Sequence, residues 1–238
     1  MNEIEILQNY IDNAQYIVFF GGAGVSTESG IPDFRSKDGL YNQKYKYPPE
    51  RILSHSFFEN HPLEFFTFYK DKMNATSYAP NITHIFLKKL EERGKLKAIV
   101  TQNIDGLHSK AGNHNILELH GSIYQNTCQS CHKKWGSEKV FSNEKIPRCT
   151  CGGIIKPDVV LYEEPLDNAV WQEAVKHIEK ADLLIIAGTS LTVYPAKNLL
   201  YSFHGKHLVL LNRDMTAYDK EADLVLHNSL GNIFGQLK

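Results

Sequence analysis

The sequence predicts an α/β protein, a parallel sheet covered by helices and interrupted by a metal-type insert. Three observations carry this. Apolar, β-favouring runs (Ile17 to Phe20, Lys97 to Thr101, Asp182 to Gly188, His207 to Asn212) each give way to small or polar residues. Segments with apolar residues at helical spacing lie between or beside them. The 4 cysteines fall together, at 128, 131, 149 and 151.

The first run organises the rest. Ile17, Val18, Phe19 and Phe20 break into Gly21, Gly22 and Gly24, then into hydroxylic residues, then into Asp33-Phe34-Arg35. A strand end, a tight turn and a helix start at one point turn backbone N–H groups outward beside a positive helix dipole, an arrangement that holds phosphates. Thr27 stands where G-x-G-x-x-G requires its third glycine, so the glycines alone fit an ordinary strand-to-helix turn as well as a nucleotide site.

The other elements follow in order. Ile4, Leu7 and Ile11 mark an amphipathic helix over residues 3 to 13. Lys37 to Pro49, rich in Tyr, Lys, Gly and Pro, reads as a loop. Residues 56 to 72 read as short helices whose rings (Phe57, Phe58, Phe65, Phe66, Phe68, Tyr69) make a core of their own. A helix from Asn81 turns Ile85, Phe86 and Leu90 inward and stops at Gly94. The next strand delivers Gln102, Asn103, Asp105 and His108 to its C-terminal loop; after Ile116, Leu117 and Leu119, His120 and Gly121 emerge in the same way. Val159 to Tyr162 resumes apolar, and a helix over about Asp167 to Lys180 packs Val170, Ala174 and Ile178. The runs at 182 to 188 and 207 to 212 lead to Thr189 and Ser190, and to Asn212, Arg213 and Asp214, before a last strand at Leu224 to Leu226. Four polar loops at the carboxyl ends of parallel strands converge on one crevice, where such sheets keep their chemistry.

Composition narrows the function. A chain of 238 residues with 42% hydrophobic and 22% charged residues buries a real core and reads as an ordinary soluble protein. A net charge of −1 without a long basic run gives no sign of a nucleic-acid partner. The N-terminus has no basic stretch ahead of its apolar positions, and no apolar run reaches membrane-spanning length, so no membrane association and a cytoplasmic location are expected. In a reducing compartment, clustered cysteines favour metal over disulfides.

The set Cys128-x2-Cys131-x17-Cys149-x-Cys151 presents two close pairs on short turns. Four thiolates hold Zn²⁺ tetrahedrally at about 2.3 Å and close the shell to substrate, which makes the role structural. Gly152-Gly153 relieves the tight second pair; a buried or redox thiol pair is the other reading. His120, before a glycine at a strand end, can act as a general base near neutral pH or be an ordinary satisfied histidine. Asp105 can orient a ribose or an amide, or close an Asx turn. Arg35 can meet a pyrophosphate or pair with Asp33 on the surface.

Together, GAGVSTESGIPDFR (22 to 35), TQNIDGLH (101 to 108), His120-Gly121, the four cysteines, KPDVVLYEE (156 to 164), GTSLTVYPA (188 to 196) and the Asn212 turn resemble the sirtuins, NAD-dependent protein lysine deacylases, over nearly the whole chain. The resemblance implies one catalytic core. Its Rossmann-like parallel sheet flanked by helices would cover about 1–35, 76–121 and 156–238, with an inserted helical module (about 36–75) and a zinc-ribbon module (about 122–155). NAD and an acyl-lysine protein or peptide would meet in the cleft. By position, Gly22, Ala23, Gly24, Thr27, Asp33, Phe34 and Arg35 would bind NAD at the glycine turn, with Phe34 as a shield against water. Gln102, Asn103, Ile104 and Asp105 would serve the nicotinamide and its ribose, and Gly188, Thr189, Ser190, Asn212 and Asp214 the adenosine half. His120 would be the base and also touch NAD. The family mechanism then follows: the acyl-lysine oxygen attacks the ribose carbon as nicotinamide leaves, His120 deprotonates a ribose hydroxyl, and free lysine and O-acetyl-ADP-ribose result. The peptide would add as a strand along Val159, Val160, Leu161, Tyr162 and Glu163.

Two departures stand out. Tyr162-Glu163-Glu164 replaces the Phe-Gly-Glu common in the family; Glu163 lacks glycine's freedom at positive φ and adds a charge beside the peptide, which favours basic sequences. Tyr69-x-x-Lys72 is the local match to the Tyr-x-x-Arg of succinyl- and malonyl-preferring members. Lysine lacks arginine's planar two-pronged grip on a carboxylate, so acetyl is the expected acyl group. The rival activities are deacylation of succinyl, lactyl or longer chains and mono-ADP-ribosyl transfer; a silent ADP-ribose or nucleic-acid binding module is a third reading. Short termini suggest a monomer.

Overall fold

Strand order explains why the polar loops meet. The computed structural model describes residues 1–34, 39–40, 45–192, 194 and 196–238. Its strands are β1 (Ile17–Gly21), β2 (Leu96–Thr101), β3 (Ile116–Glu118), β4 (Gly121–Cys128), β5 (Lys134–Trp135), β6 (Ile155–Val159), β7 (Leu183–Ala187), β8 (His207–Asn212) and β9 (Leu224–His227). Six form one parallel sheet in the order β3-β2-β1-β7-β8-β9. The order reverses between β1 and β7, and there the crossovers leave on opposite sides and open a crevice above the strand ends.

Both faces of this sheet are covered. All residues of β1 and β7 are buried, as unbroken apolar runs require of central parallel strands. Phe19, Ile99, Ile185 and Leu211 pack under α1 (Glu3–Asn13), α5 (Ile82–Glu92) and α9 (Leu230–Phe234). Val18, Phe20, Val100 and Ile186 face Ala174 and Ile178 of α8 (Asn168–Lys180). Helix starts follow local chemistry. Asn2 and Glu5 exchange hydrogen bonds as a capping box on α1, and the Asp167 carboxylate accepts from Ala169 and Val170 N–H at the start of α8. In α5 the inward residues are Phe86, Leu87 and Leu90, while Ile85 is 48% exposed, so the apolar stripe runs one position later than its sequence spacing suggests.

The remaining elements make a second body. A three-stranded antiparallel sheet, β5-β4-β6, stands beside α2 (Pro49–Ile52), α3 (His55–Asn60), α4 (Pro62–Lys72) and α7 (Ser137–Val140). The rings of residues 57 to 69 do not form a core of their own. They share one with Ile123, Cys128, Val140, Cys149, Ile155 and Leu161 of the ribbon. Part of the stretch read as a loop, 37–38 and 41–44, lies outside the described residues. Among the described residues no helix is long and apolar enough to cross a membrane.

Two histidines, His84 and His108, lie buried together. His108, on α6 (Leu107–Lys110), does not emerge with the strand-end loop; its ring lies against Phe19 and 4.7 Å from the ring of His84. Burial pushes His84 down to about 4, and burial with His84 beside it pushes His108 down to about 3. The unfolded chain therefore binds these protons first. The stability they carry is whole above pH 6.5, and it declines as pH falls from there toward 4 and then 3, each group adding a slope of about 1.4 kcal/mol per pH unit. Melting temperatures between pH 7 and 4.5 are expected to fall steeply, and His108→Leu to flatten that dependence; an unchanged slope in the variant would exclude His108 as its source.

Candidate active site

The glycine turn is built by close approach. Gly24 N–H donates to Gly188 O at 2.8 Å, and Gly22 N–H to Ala187 O at 3.1 Å, which joins the ends of β1 and β7. A Cβ on Gly24 would lie 2.7 Å from Gly188 Cα, and Gly188 itself sits at φ +60°, so glycine is required on both sides of the contact. The chain then makes two short 3₁₀ turns, Ala23–Val25 and Thr27–Ser29, where a helix start was expected. The turn therefore lacks the macrodipole of a long helix, and the N–H groups of Gly22, Gly24, Val25 and Ser26 are taken by backbone carbonyls. Asp33 and Phe34 follow on the rim, half-buried, with Phe34 packed against the second core; Arg35 lies outside the described residues.

A chain of hydrogen bonds ties the other loops to this turn. Gln102 N–H donates to Gly21 O at 3.0 Å, and its side chain reaches Thr189 Oγ1 at 3.4 Å. Thr189 N–H donates to Asn212 Oδ1 at 3.0 Å, and the Asn212 amide donates back to Thr189 O at 2.8 Å, so β7 and β8 are latched above the sheet. Deeper in, Asn103 Nδ2 donates to Ser26 Oγ at 3.1 Å, Ser26 Oγ donates to Asp105 Oδ2 at 2.6 Å, and Leu107 N–H donates to Asp105 Oδ1 at 2.9 Å. Burial raises the Asp105 carboxyl above its ordinary range, and the bonds from Ser26 and Leu107 hold it back. Ile104 is half-buried beside them.

His120 joins the same network. Its Nδ1 lies 3.0 Å from Gln102 O, and a carbonyl only accepts, so Nδ1 carries the proton and Nε2 keeps a lone pair. That is the tautomer a base needs. Burial lowers its pKa and the bond to Gln102 partly restores it, so the ring is neutral at pH 7. Two residues that sequence reasoning passed over belong here. Ser26 is fully buried between Asn103 and Asp105, and Glu118, at the end of β3, has its carboxyl pushed up to about 7 by burial and by Asp105 nearby. Two candidates stand apart: Ser190 is exposed and bonded to Thr192, and Asp214 is exposed and paired with Arg213.

The segment after β6 borders the histidine. Gly121 faces Val159 across the β4–β6 pair, and Val160 N–H donates to His120 O at 2.9 Å. Val159 and Leu161 are buried, Val160 is half-buried, and Tyr162 is exposed. Glu163 adopts φ +76°, a conformation that costs a non-glycine residue roughly 1–2 kcal/mol. Its carboxylate does not stand free; it accepts from Ser56 N–H at 2.9 Å and Ser56 Oγ at 3.0 Å. Tyr69 and Lys72 offer no carboxylate grip. Tyr69 is 1% exposed, its ring stacked on Phe65 and Phe141 and its phenol raised by burial, whereas Lys72 pairs with Asp71.

The four cysteine sulfurs lie within 4.8 Å of one another, with Cys128 and Cys151 at 3.5 Å and Cys131 and Cys149 at 3.6 Å. These separations exclude disulfides at about 2.05 Å and match the edges of a tetrahedron with arms of about 2.3 Å, so the set fits Zn²⁺. The knuckles are shaped for it: His132 and Gly152, each just after a cysteine, take positive φ, and a Cβ on Gly153 would sit 2.8 Å from Cys128 Sγ. Backbone N–H groups onto Cys128 and Cys149 favour their thiolates.

A doubly wound sheet with a glycine turn, a buried aspartate and a correctly tautomerised histidine at its switch point, beside a four-cysteine ribbon, defines a nucleotide-using α/β enzyme with a structural metal centre. The sequence profile of the Sir2 family matches residues 22–195, and the chain belongs to that family. It is 56% identical to an NAD-dependent protein deacetylase of Clostridium perfringens, over 99% of this chain and 98% of that one. It is 55% identical to the protein of that name from Clostridium acetobutylicum, over 98% and 97%. Among solved structures, a Sir2 variant with a deacetylated p53 peptide and 3'-O-acetyl ADP ribose superposes with a TM-score of 0.91 at 34% identity, covering 98% of this chain and 96% of that one. A Sir2 complex with a p53 peptide and NAD+ gives 0.86 at 35% identity, covering 99% and 97%.

Proposed function

We propose that the crevice removes acetyl groups from protein lysines in an NAD-dependent reaction that yields nicotinamide and O-acetyl-ADP-ribose. The reading rests on one observation, the Nδ1 bond of His120 to Gln102 O, which leaves Nε2 unprotonated on a residue tied through Gln102 to the glycine turn. When bound, NAD supplies a ribose carbon activated by loss of nicotinamide and the hydroxyl that receives the acyl group. The chain's own residues do the rest. Ala23 and Thr27 of the glycine turn face the phosphates, while Gly22 and Gly24, whose N–H groups are taken by Ala187 O and Gly188 O, carry no side chain and so let the phosphates approach the backbone closely. Asn103 and Asp105, fixed through Ser26, orient the ribose hydroxyls, with Gln102 and Ile104 toward nicotinamide. Thr189 and Asn212, latched to each other, face the adenosine half, and His120 Nε2 takes the hydroxyl proton. Phe34, on the rim, excludes water that would otherwise hydrolyse NAD.

The peptide lies along Val159 to Glu163, and the large domain, helical segment and ribbon divide at about residues 35, 76, 121 and 156. The burial of Tyr69 supports acetyl over acidic acyl groups, because nothing at that motif grips a carboxylate. Cysteines set at metal spacing support a reducing, cytoplasmic setting. Labelled NAD incubated with an acetyl-lysine peptide is expected to release nicotinamide only when the peptide is present, with acetyl appearing on ADP-ribose. Label fixed to protein instead would make the protein a mono-ADP-ribosyltransferase.

A further inference from the structure

We propose that Glu163 is a positioning residue: through Ser56 it staples the peptide-binding segment to the α3 side of the crevice, and so tunes affinity for the acyl-peptide and not for NAD. The proposal rests on the deacetylase reading above. Two backbone bonds tie this segment to the helical side, Tyr162 N–H to Leu53 O at 2.9 Å and His55 N–H to Tyr162 O at 3.0 Å, around a single parallel bridge between Ser54 and Tyr162. So short a pairing frays readily. Glu163 closes it by taking both Ser56 N–H and Ser56 Oγ, while holding the strained φ of +76°. Glu164 braces the other side of the turn, accepting from Leu161 N–H at 2.9 Å, Lys156 Nζ at 3.1 Å and His55 Nδ1 at 2.8 Å. At the far end Val160 N–H is bonded to His120 O. A strand edge fixed before the peptide arrives spares the ordering cost of binding, and both bonds of the Glu163 carboxylate go to Ser56, not to a residue assigned to NAD. Because the carboxylate is taken up by Ser56, its contribution is rigidity and not an attraction for basic peptides.

Glu163→Gly in the full chain tests this, because glycine accepts the same φ without strain and the turn survives. The KM for an acetyl-lysine peptide is expected to rise about fivefold or more, with kcat and the KM for NAD within about twofold. Amide exchange across Leu53–His55 and Leu161–Glu164, read without peptide, is expected to quicken. Ser56→Ala, which keeps the backbone donor, is expected to fall between, and adding it to Glu163→Gly to change nothing further. A peptide KM within twofold of the parent, or unchanged exchange, overturns the proposal. Loss of all peptide-dependent nicotinamide release in the parent chain would sink the deacetylase reading instead, and the exchange measurement still decides whether Glu163 holds the segment.

Discussion

Replacing His120 by alanine is expected to cut deacetylation turnover by about 10²-fold or more, equivalent to about 2.7 kcal/mol of lost transition-state stabilisation. Among the described residues the ring makes one hydrogen bond, to Gln102 O, and it is only half-buried, so folding should survive its removal. NAD binding, which we propose falls to the glycine turn, Asn103–Asp105 and Thr189–Asn212, should survive as well, because none of the bonds among those residues involves the imidazole. The informative result is therefore a split: turnover lost, NAD titration and melting temperature near those of the parent. The parent's acid limb carries the same signature. Because burial lowers the His120 pKa, the acid limb of the activity should lie below the ordinary histidine range. Near-normal turnover in His120→Ala would remove the imidazole from the mechanism.

Replacing Cys128 by serine is expected to do the reverse, with zinc content and stability falling together. Cys128 is wholly buried in the core that the ribbon shares with α3 and α4, and its sulfur is one corner of a four-sulfur cluster. A serine hydroxyl there neither holds the metal nor finds an apolar welcome. Structural zinc is worth about 10 kcal/mol or more to isolated fingers, so a loss of about 3 kcal/mol or more, or roughly 6–12 °C in melting temperature, is a conservative expectation. Metal analysis beside calorimetry checks it. A variant that melts like the parent while holding no zinc would show that the ribbon stands on packing alone.

The two variants also divide what was legible in the sequence. The central strands could be read because buried parallel strands are unbroken apolar runs, and Ile17 to Phe20 and Leu183 to Ala187 are such runs. The ribbon strands could not. β4 reads GSIYQNTC without alternation and β5 has 2 residues, because the cysteine cluster and not periodicity organises them. The cysteines and His120 were visible through spacing and place, whereas Ser26 was hidden, since its partner Asp105 lies 79 positions away and a serine after glycines reads as a simple cap. His108 misled for a similar reason. Its neighbours in sequence are polar loop residues, and only the fold turns it toward Phe19 and His84. At Glu163 the need for positive φ was legible, but the direction of its carboxylate was set by Ser56, more than a hundred residues earlier.

The facing of Gly121 and Val159 has a mechanical consequence. The chain leaves the imidazole directly into one strand of the ribbon and returns along the adjacent one, where Val160 grips the carbonyl of His120. Because Nδ1 of the same residue is bonded to Gln102 O at the end of β2, the imidazole is anchored to the large sheet, and residue 120 is the joint at which the segment after β6 meets it.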